Sequence, residues 1–180
     1  QDAKVTRYER KKKEEPPPLP FSLSALQVLA GKRYGYEPQQ VLDTAQKLYE
    51  EKLTTYPRSD AEYLPKSQHK DAPKILSNLA GLSDSPLAAW AQAADAEKKS
   101  RAWNDEKITA HHAIIPTTVA ANPARLSEIE RRIYELIARA YIAQFYPNYV
   151  YDRTKVELSY HGETFAASGR TERAAGWRAM

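Results

Sequence analysis

The spacing of the apolar residues changes at Pro147, and this change constrains the fold more than any other feature of the sequence. Over residues 127–144 the apolar side chains recur three and four positions apart, which is the spacing of one face of an α-helix. From Tyr149 onward apolar and polar residues alternate, which is the spacing of a half-buried β-strand. The two periods predict an α+β chain, mainly α, whose helical and strand-forming segments are separate.

The helix over 127–144 has the clearest signals in the chain. Ser127 and Glu130 have the spacing of a capping box, in which each side chain accepts the backbone N–H of the other residue. Pro147 follows the last predicted turn and stops the helix. The apolar residues predicted to share one face are Leu126, Ile129, Ile133, Leu136, Ile137 and Ala140.

The two ends of the chain are predicted to form a β-containing part. The strand that starts at Tyr149 turns at His161-Gly162 and returns over 165–169. At the other end, residues 1–15 are charged, and the four prolines within 16–20 form a stiff extended connector. We therefore expect a helical domain over 20–147, placed between two β-containing segments at 1–19 and 148–180.

Two short helices are expected at the start of the helical domain. Ser22 can cap the first of them, and Gly31 is available to end it. The second has Pro38 in its first turn and continues to about Glu51. The apolar positions on one side are Leu23, Leu26 and Leu29 in the first helix, and Val41, Leu42, Ala45, Leu48 and Tyr49 in the second.

Three further segments follow in the helical domain. Residues 67–81 and 87–99 are plausible helices, separated by Gly81 and Pro86. Residues 108–118 are apolar, short and interrupted by a proline, so we expect a buried loop or strand there.

Composition narrows the class of protein. The 180 residues are 42% hydrophobic and 28% charged, and no apolar run approaches the roughly 20 residues that span a bilayer, so a soluble protein is expected. There is no secretory signal at the polar start of the sequence, which makes the cytoplasm the expected location.

Zero cysteines exclude disulfides, thiolate catalysis and cysteine zinc sites. The formal charge of +4 fits an anionic partner. Because the chain lacks an initiator Met, we expect it to be part of a longer protein.

The segment around Tyr56 carries the most specific chemistry. The ring of Pro57 disfavours the α region for the preceding residue, so Tyr56 is expected in an extended conformation. Arg58, two residues along an extended chain, projects from the same side and suits the grip of a phosphate. A phenol attacks phosphate only where the site removes its proton and stabilises the charge on the phosphate oxygens. Spacing alone fits an ordinary surface strand with a half-buried tyrosine as well.

Four ordered segments together resemble a known family. The sequence KLTTYPRSD over 52–60 resembles the active-site tyrosine motif of type IA DNA topoisomerases, and its Tyr-Pro-Arg form is similar to that of the bacterial topoisomerase III branch. Three further segments match the family in order. Residues 18–27 resemble the entry to the tyrosine-bearing domain, and residues 110–117 resemble the segment that brings a histidine to the scissile phosphate. Residues 165–169 with 176–177 resemble the return into the arch of the toroid. The resemblance covers nearly the whole chain.

The resemblance implies a mechanism. Tyr56 would attack the backbone of single-stranded DNA, giving a 5′-phosphotyrosine link and a free 3′-hydroxyl, and religation after strand passage would need no ATP. Arg58 would hold the scissile phosphate, and His111 would donate to that phosphate or to a nearby acidic group. The positions that correspond to DNA contacts also include Ser59 and Thr117.

The histidine pair has other interpretations. Adjacent histidines on an extended chain point to opposite faces, which argues against one shared metal site. Without the resemblance, His111 and His112 are expected to be one exposed residue and one buried, hydrogen-bonded residue. His112 occupies a place where other branches of the family carry an acidic residue. We predict no metal and no other cofactor on this chain.

The resemblance also implies a missing partner domain and a fold. The family's acidic TOPRIM domain supplies clustered carboxylates and Mg²⁺, and this sequence has no Asp-x-Asp-x-Glu cluster, so the chain alone is expected to be inert. The implied fold is a helical domain like that of the catabolite activator protein, with helix-turn-helix character, flanked by β-strands of an incomplete arch. A bacterial, nucleoid-associated enzyme that acts on single-stranded DNA would follow.

Two alternatives belong to other classes of protein. The chain is also compatible with a helix-turn-helix DNA-binding module without chemistry, in which Tyr56 is structural, and with an architectural domain that binds protein. The basic residues outside the motif fit a solvated surface as well as phosphate contacts.

Overall fold

The computed structural model describes residues 3–180, and the chain forms two compact units. One unit holds both ends of the chain, up to Pro17 and again over Pro147–Ala179. The other unit holds Pro18–Tyr146 together with Met180. The domain boundaries expected from the sequence lie at 19/20 and 147/148.

The described residues contain five α-helices and one three-stranded antiparallel sheet, which confirms the predicted α+β class. None of these helices is long and apolar enough to cross a membrane. The helices, all in the unit over 18–146, are α1 (Leu23–Tyr34), α2 (Pro38–Glu50), α3 (Ala72–Ala80), α4 (Pro86–Ala93) and α5 (Glu128–Ala143).

Helix α5 lies at the centre of the helical unit and matches its prediction. Ser127 caps it, and the capping box with Glu130 is complete, because the Ser127 N–H donates to the Glu130 carboxylate at 2.8 Å. The apolar face is buried at Ile133 and Ile137, as the three-and-four spacing predicts. Helices α1, α2 and α4 pack against this helix.

Helix α1 begins where predicted and ends later. The Ser22 hydroxyl accepts the Ala25 N–H at 3.3 Å. The prediction that Gly31 ends the helix is wrong, because the helix continues to Tyr34 and Gly35 takes the left-handed conformation, at φ 72°, that releases the chain. Leu29 is likewise exposed, since Leu26 and Ala30, one turn apart, form the buried side instead.

The two helices predicted over 67–81 and 87–99 are shorter in the structure. Residues 66–71 form a 3₁₀ segment, and α3 starts only at Ala72, because Pro73 lacks an N–H and fits the first turn of a helix. Helix α4 stops at Ala93, and residues 94–99 are not helical, since the Asp95 N–H donates to the Phe145 carbonyl at 3.2 Å.

The sheet joins the two ends of the chain. Its order is β1 (Lys4–Glu15), β2 (Tyr149–Tyr160), β3 (Glu163–Ala174), and β1 pairs with β2 along almost its full length. His161 and Gly162 both have positive φ, which suits the tight turn predicted between β2 and β3. After β3, Gly176 is required, because a Cβ atom there would lie 2.3 Å from the Asn148 carbonyl oxygen.

Candidate active site at the tyrosine and histidine segments

Two loop segments of the helical unit lie side by side. We name them the tyrosine segment, residues 52–61, and the histidine segment, residues 111–117. The Thr55 N–H donates to the Ile115 carbonyl at 3.0 Å, and the Thr117 N–H donates to the Leu53 carbonyl at 3.0 Å. Neither segment is helical, as Tyr56-Pro57 and the proline within 108–118 predict.

Two hydroxyl groups tie the segments together. The Thr55 hydroxyl donates to the Ala113 carbonyl at 3.2 Å and accepts the Ile115 N–H at 3.0 Å. The Ser59 hydroxyl donates to the His112 carbonyl at 2.7 Å. These bonds flank Tyr56 on both sides along the chain.

Both segments are also fixed to the chain that enters α1. The Leu23 N–H donates to the Ser59 carbonyl at 2.8 Å, and the Ile114 N–H donates to the Phe21 carbonyl at 2.8 Å. Ile114 and Ile115 are fully buried. The segments therefore rest on the core, and their outer sides face solvent.

Exposure alternates along the tyrosine segment. Tyr56 and Arg58 are exposed, whereas Pro57 and Ser59 are buried. This alternation places the two side chains on the same, solvent-facing side, as expected of an extended chain. A phenol and a guanidinium group two residues apart can therefore meet one external phosphate.

His111 lies against Tyr56. The two rings are stacked, with centroids 4.8 Å apart and planes 20° from parallel. Tyr49, from the last turn of α2, presents its ring edge-on to Tyr56 at 5.7 Å. Among the described residues, none forms a hydrogen bond with the Tyr56 hydroxyl, so these contacts orient the ring and leave its oxygen open to a ligand.

The two histidines differ in their surroundings. His111 is exposed, and the His112 ring, half-buried, is hydrogen-bonded through Nδ1 to the Ala113 carbonyl at 2.8 Å. One exposed and one hydrogen-bonded histidine is the arrangement expected from the chain alone. Only His111 therefore shares the outer side of the site with Tyr56.

Ser59 and Thr117 use their hydroxyls inside the protein. Besides its bond to His112, the Ser59 hydroxyl accepts the Ala61 N–H at 3.2 Å, and its side chain is 2% exposed. The Thr117 hydroxyl donates to the Lys52 carbonyl and accepts the Val119 N–H at 3.2 Å. This geometry favours a positioning role for both residues, and their contact with DNA stays a prediction.

Three features escaped the sequence analysis. Thr55 and Tyr49 had no pattern that marked them, because their partners are distant in sequence or belong to a different element. Thr54 is also unusual: its hydroxyl is the one buried side-chain polar atom in the described part of the chain without a hydrogen-bond partner.

Metal binding has no support at this site. Among residues 3–180, no group of three His, Cys, Asp or Glu side chains could hold a metal ion.

Comparison with known proteins identifies the family. The family model described as DNA topoisomerase matches residues 1–180. The chain is 46% identical to DNA topoisomerase 3 of Vibrio cholerae over all of its length and 28% of that protein. It is 36% identical to DNA topoisomerase 3 of Bacillus subtilis, over 99% of this chain and 25% of that protein.

A solved structure has the same fold. The full-length topoisomerase I from Thermotoga maritima aligns with a TM-score of 0.71 at 22% identity, over 98% of this chain and 29% of that one. The chain thus spans about a quarter of the length of the relatives it matches. It belongs to the DNA topoisomerase family, in the type IA, topoisomerase III branch.

Proposed function

We propose that Tyr56 is the nucleophile with which the parent topoisomerase cuts single-stranded DNA. The observation that carries the proposal is the exposed Tyr56 ring, stacked on His111 and on the same side as Arg58. In this reaction the Tyr56 oxygen forms a bond to phosphorus, and the bond from phosphorus to the 3′-oxygen breaks. The phenol proton is balanced by the proton that the leaving 3′-oxygen gains as a hydroxyl.

The products explain why no ATP is needed. One phosphodiester bond is replaced by one phosphotyrosine ester, so the energy of the broken bond is kept for religation. Attack of the 3′-hydroxyl on the same phosphorus restores the strand and frees Tyr56. Passage of another strand between the two steps changes DNA topology.

Two neighbours have roles that suit their chemistry. The planar fork of Arg58 suits two oxygens of the scissile phosphate, where it would offset developing negative charge. His111, with its ring against Tyr56, is placed to donate a hydrogen bond to the same phosphate. Ser59 and Thr117 hold the segments in place, and any DNA contact by them would add to that role.

The rest of the chemistry is proposed to lie elsewhere in the parent protein. We expect an acidic TOPRIM domain of the same parent chain to supply the carboxylates and the Mg²⁺ that the family's chemistry implies. The chain alone is then expected to be inert. The same proposal covers the fold and the location. The helical unit has helix-turn-helix character and is like the catabolite activator protein, and the sheet belongs to the arch. The location is cytoplasmic and nucleoid-associated.

One observation favours a second candidate. The Tyr56 ring packs on both His111 and Tyr49, as a structural tyrosine does. A DNA-binding module without chemistry would keep these contacts and use the basic surface alone.

An adduct assay separates the two candidates. The parent enzyme is mixed with Mg²⁺ and single-stranded DNA labelled at its 3′ end, then denatured, so that a 5′-phosphotyrosine link leaves the label on the protein. We expect a labelled adduct with the wild type and with Tyr49→Phe, and none with Tyr56→Phe. An adduct that persists in Tyr56→Phe, or its absence in the wild type, would rule out the proposed nucleophile.

A further inference from the structure

Three arginines cluster on the helical unit away from the tyrosine segment. Arg33 lies in the last turn of α1, and Arg132 and Arg139 lie two turns apart on α5. The tyrosine segment contacts the opposite end of α1, through Leu23. At a rise of 1.5 Å per residue, the cluster lies about 15 Å further along this helix.

Aromatic rings hold the three guanidinium groups in place. Arg33 and Arg132 lie over the Tyr34 ring, at 5.6 and 4.9 Å from its centroid. Arg139 lies over the Trp90 ring at 5.3 Å. A guanidinium group stacked on a ring keeps its in-plane N–H groups available, and it has lost less conformational freedom when a ligand arrives.

The positive charge of this cluster is only partly balanced. Arg132 pairs with Glu128 at 2.6 Å and donates to the Tyr36 hydroxyl at 3.1 Å. Arg139 donates to the Met180 carbonyl at 2.6 Å. Among the described residues, no carboxylate lies within ion-pair distance of Arg33 or Arg139, although Glu135 lines the same pocket.

Arg33 and Arg139 also affect each other. Burial lowers the pKa of Arg139, and the nearby charge of Arg33 lowers it further. An anion between the two groups would relieve this repulsion.

The shape of the pocket limits the ligand. Arg33, Tyr34, Trp90 and Arg139 line a pocket of about 50 Å³. A pocket of this size has room for a phosphate-sized group. The guanidinium fork matches phosphate oxygens in geometry as well as in charge.

We propose that Arg33 and Arg139 form a phosphate-binding site for the backbone of single-stranded DNA, separate from the Tyr56 site. The inference rests on the proposed DNA substrate. In this arrangement the site holds the strand beyond the point of cleavage. Because it contacts phosphate and not base edges, it binds without sequence preference.

Binding of fluorescent oligo(dT) to the parent enzyme tests the site. Anisotropy is measured over a series of salt concentrations for the wild type, Arg33→Gln/Arg139→Gln and Arg125→Gln. Each phosphate contact with a single strand contributes about 0.7 to the slope of log K against log salt. We expect the double variant to bind several-fold more weakly, with a slope smaller by about 0.7, and Arg125→Gln, an exposed arginine outside the cluster, to retain more of the wild-type slope.

The outcomes that would overturn the site are distinct from those for Tyr56. Equal slopes for the double variant and Arg125→Gln, absence of salt-dependent binding by the wild type, or equal competition by an oligoglutamate peptide would each contradict it. If the double variant melts early, the exposed Arg33 is tested by itself: Arg33→Gln should lower the slope, by at most about 0.7, and Arg33→Lys should lower it less. These readouts measure binding, whereas the Tyr56 assignment is tested by adduct formation.

Discussion

Thr55 and Ser59 flank the candidate nucleophile, and both hydroxyls donate to backbone carbonyls of the histidine segment. Neither side chain is placed to react, because each is committed to a protein partner. Their effect on chemistry is through the relative position of Tyr56 and His111. Small displacements of reacting groups cost large factors in rate, so under the proposed function these bonds matter for catalysis as well as for folding.

Replacement of Thr55 tests this positioning. Thr55→Val keeps the shape of the side chain but leaves the Ala113 carbonyl and the Ile115 N–H without their hydroxyl partner. We expect a loss of about 1–3 kcal/mol in the free energy of unfolding and a lower rate of adduct formation by the parent enzyme. Thr55→Ser keeps the hydroxyl and should recover most of the rate, whereas equally low rates for Val and Ser would contradict the positioning role.

Replacement of Thr54 is expected to change the free energy of unfolding in the opposite direction. Its hydroxyl is buried without a hydrogen-bond partner, which costs about 1–3 kcal/mol. Thr54→Val should therefore raise the free energy of unfolding, measured by urea denaturation. Thr44→Val is the matched control, because the buried Thr44 hydroxyl donates to the Gln40 carbonyl at 2.7 Å, and it should lower that free energy. The same sign for both variants would contradict the assignment.

The sequence alone predicts part of this site. Pro57 predicts an extended Tyr56, and the two-residue spacing predicts the shared exposure of Tyr56 and Arg58. The contact between Tyr56 and His111 joins residues 55 positions apart, so no local pattern can predict it, and only the family resemblance placed the two together. The role of Thr55 cannot be predicted for the same reason, because its partners Ala113 and Ile115 are distant in sequence.

At the scale of the elements, α2 and α5 are joined by a buried carboxylate. Lys47 of α2 forms an ion pair with Glu130, whose side chain is 5% exposed. The hydrogen bond from Lys47, and then the N–H of Ser127, hold the pKa of Glu130 below its ordinary value of 4.5. A lowered pKa means that the folded state favours the charged form, so this stabilisation is complete at neutral pH and is lost as pH falls below about 4.5.

Glu130→Gln isolates the ion pair, because glutamine still completes a capping box. We expect a loss on the order of 1 kcal/mol at pH 7, limited by the exposure of Lys47, and a difference from the wild type that shrinks as pH falls through 4.5. Thermal melting over a pH series measures both effects. Exposed Glu128→Gln should change little, and a pH-independent difference for Glu130→Gln would contradict the assignment.

Element boundaries were predictable where a cap or a proline is specific. Ser127 with Glu130 fixed the start of α5, and Ser22 fixed the start of α1. The prediction for Gly31 is wrong because Gly31 and Gly35, four residues apart, can each end a helix. The contacts of Leu26 and Ala30 with the core decide which of the two glycines ends α1. The end of α4 depends on a bond from Asp95 to Phe145, which no local pattern contains.

At the scale of the whole molecule, this chain spans about a quarter of the length of the relatives it matches. Its relatives are several times longer, and no carboxylate cluster lies among the described residues. The proposed nucleophile lies at an exposed site without such a cluster, which agrees with the proposal that another domain completes the active site. The fold class follows from the periodicity of the sequence, whereas the proposed dependence on a partner domain rests on the resemblance to the family.

Mass spectrometry of the covalent adduct tests the central claim most directly. The parent enzyme is trapped on DNA, digested with nuclease and trypsin, and the nucleotide-bearing peptide is fragmented. We predict that the added phosphate and nucleotide lie on Tyr56, the one tyrosine in the tryptic peptide Leu53–Arg58. Modification of Tyr49, which falls in the preceding peptide, or of any residue other than Tyr56 would contradict the account.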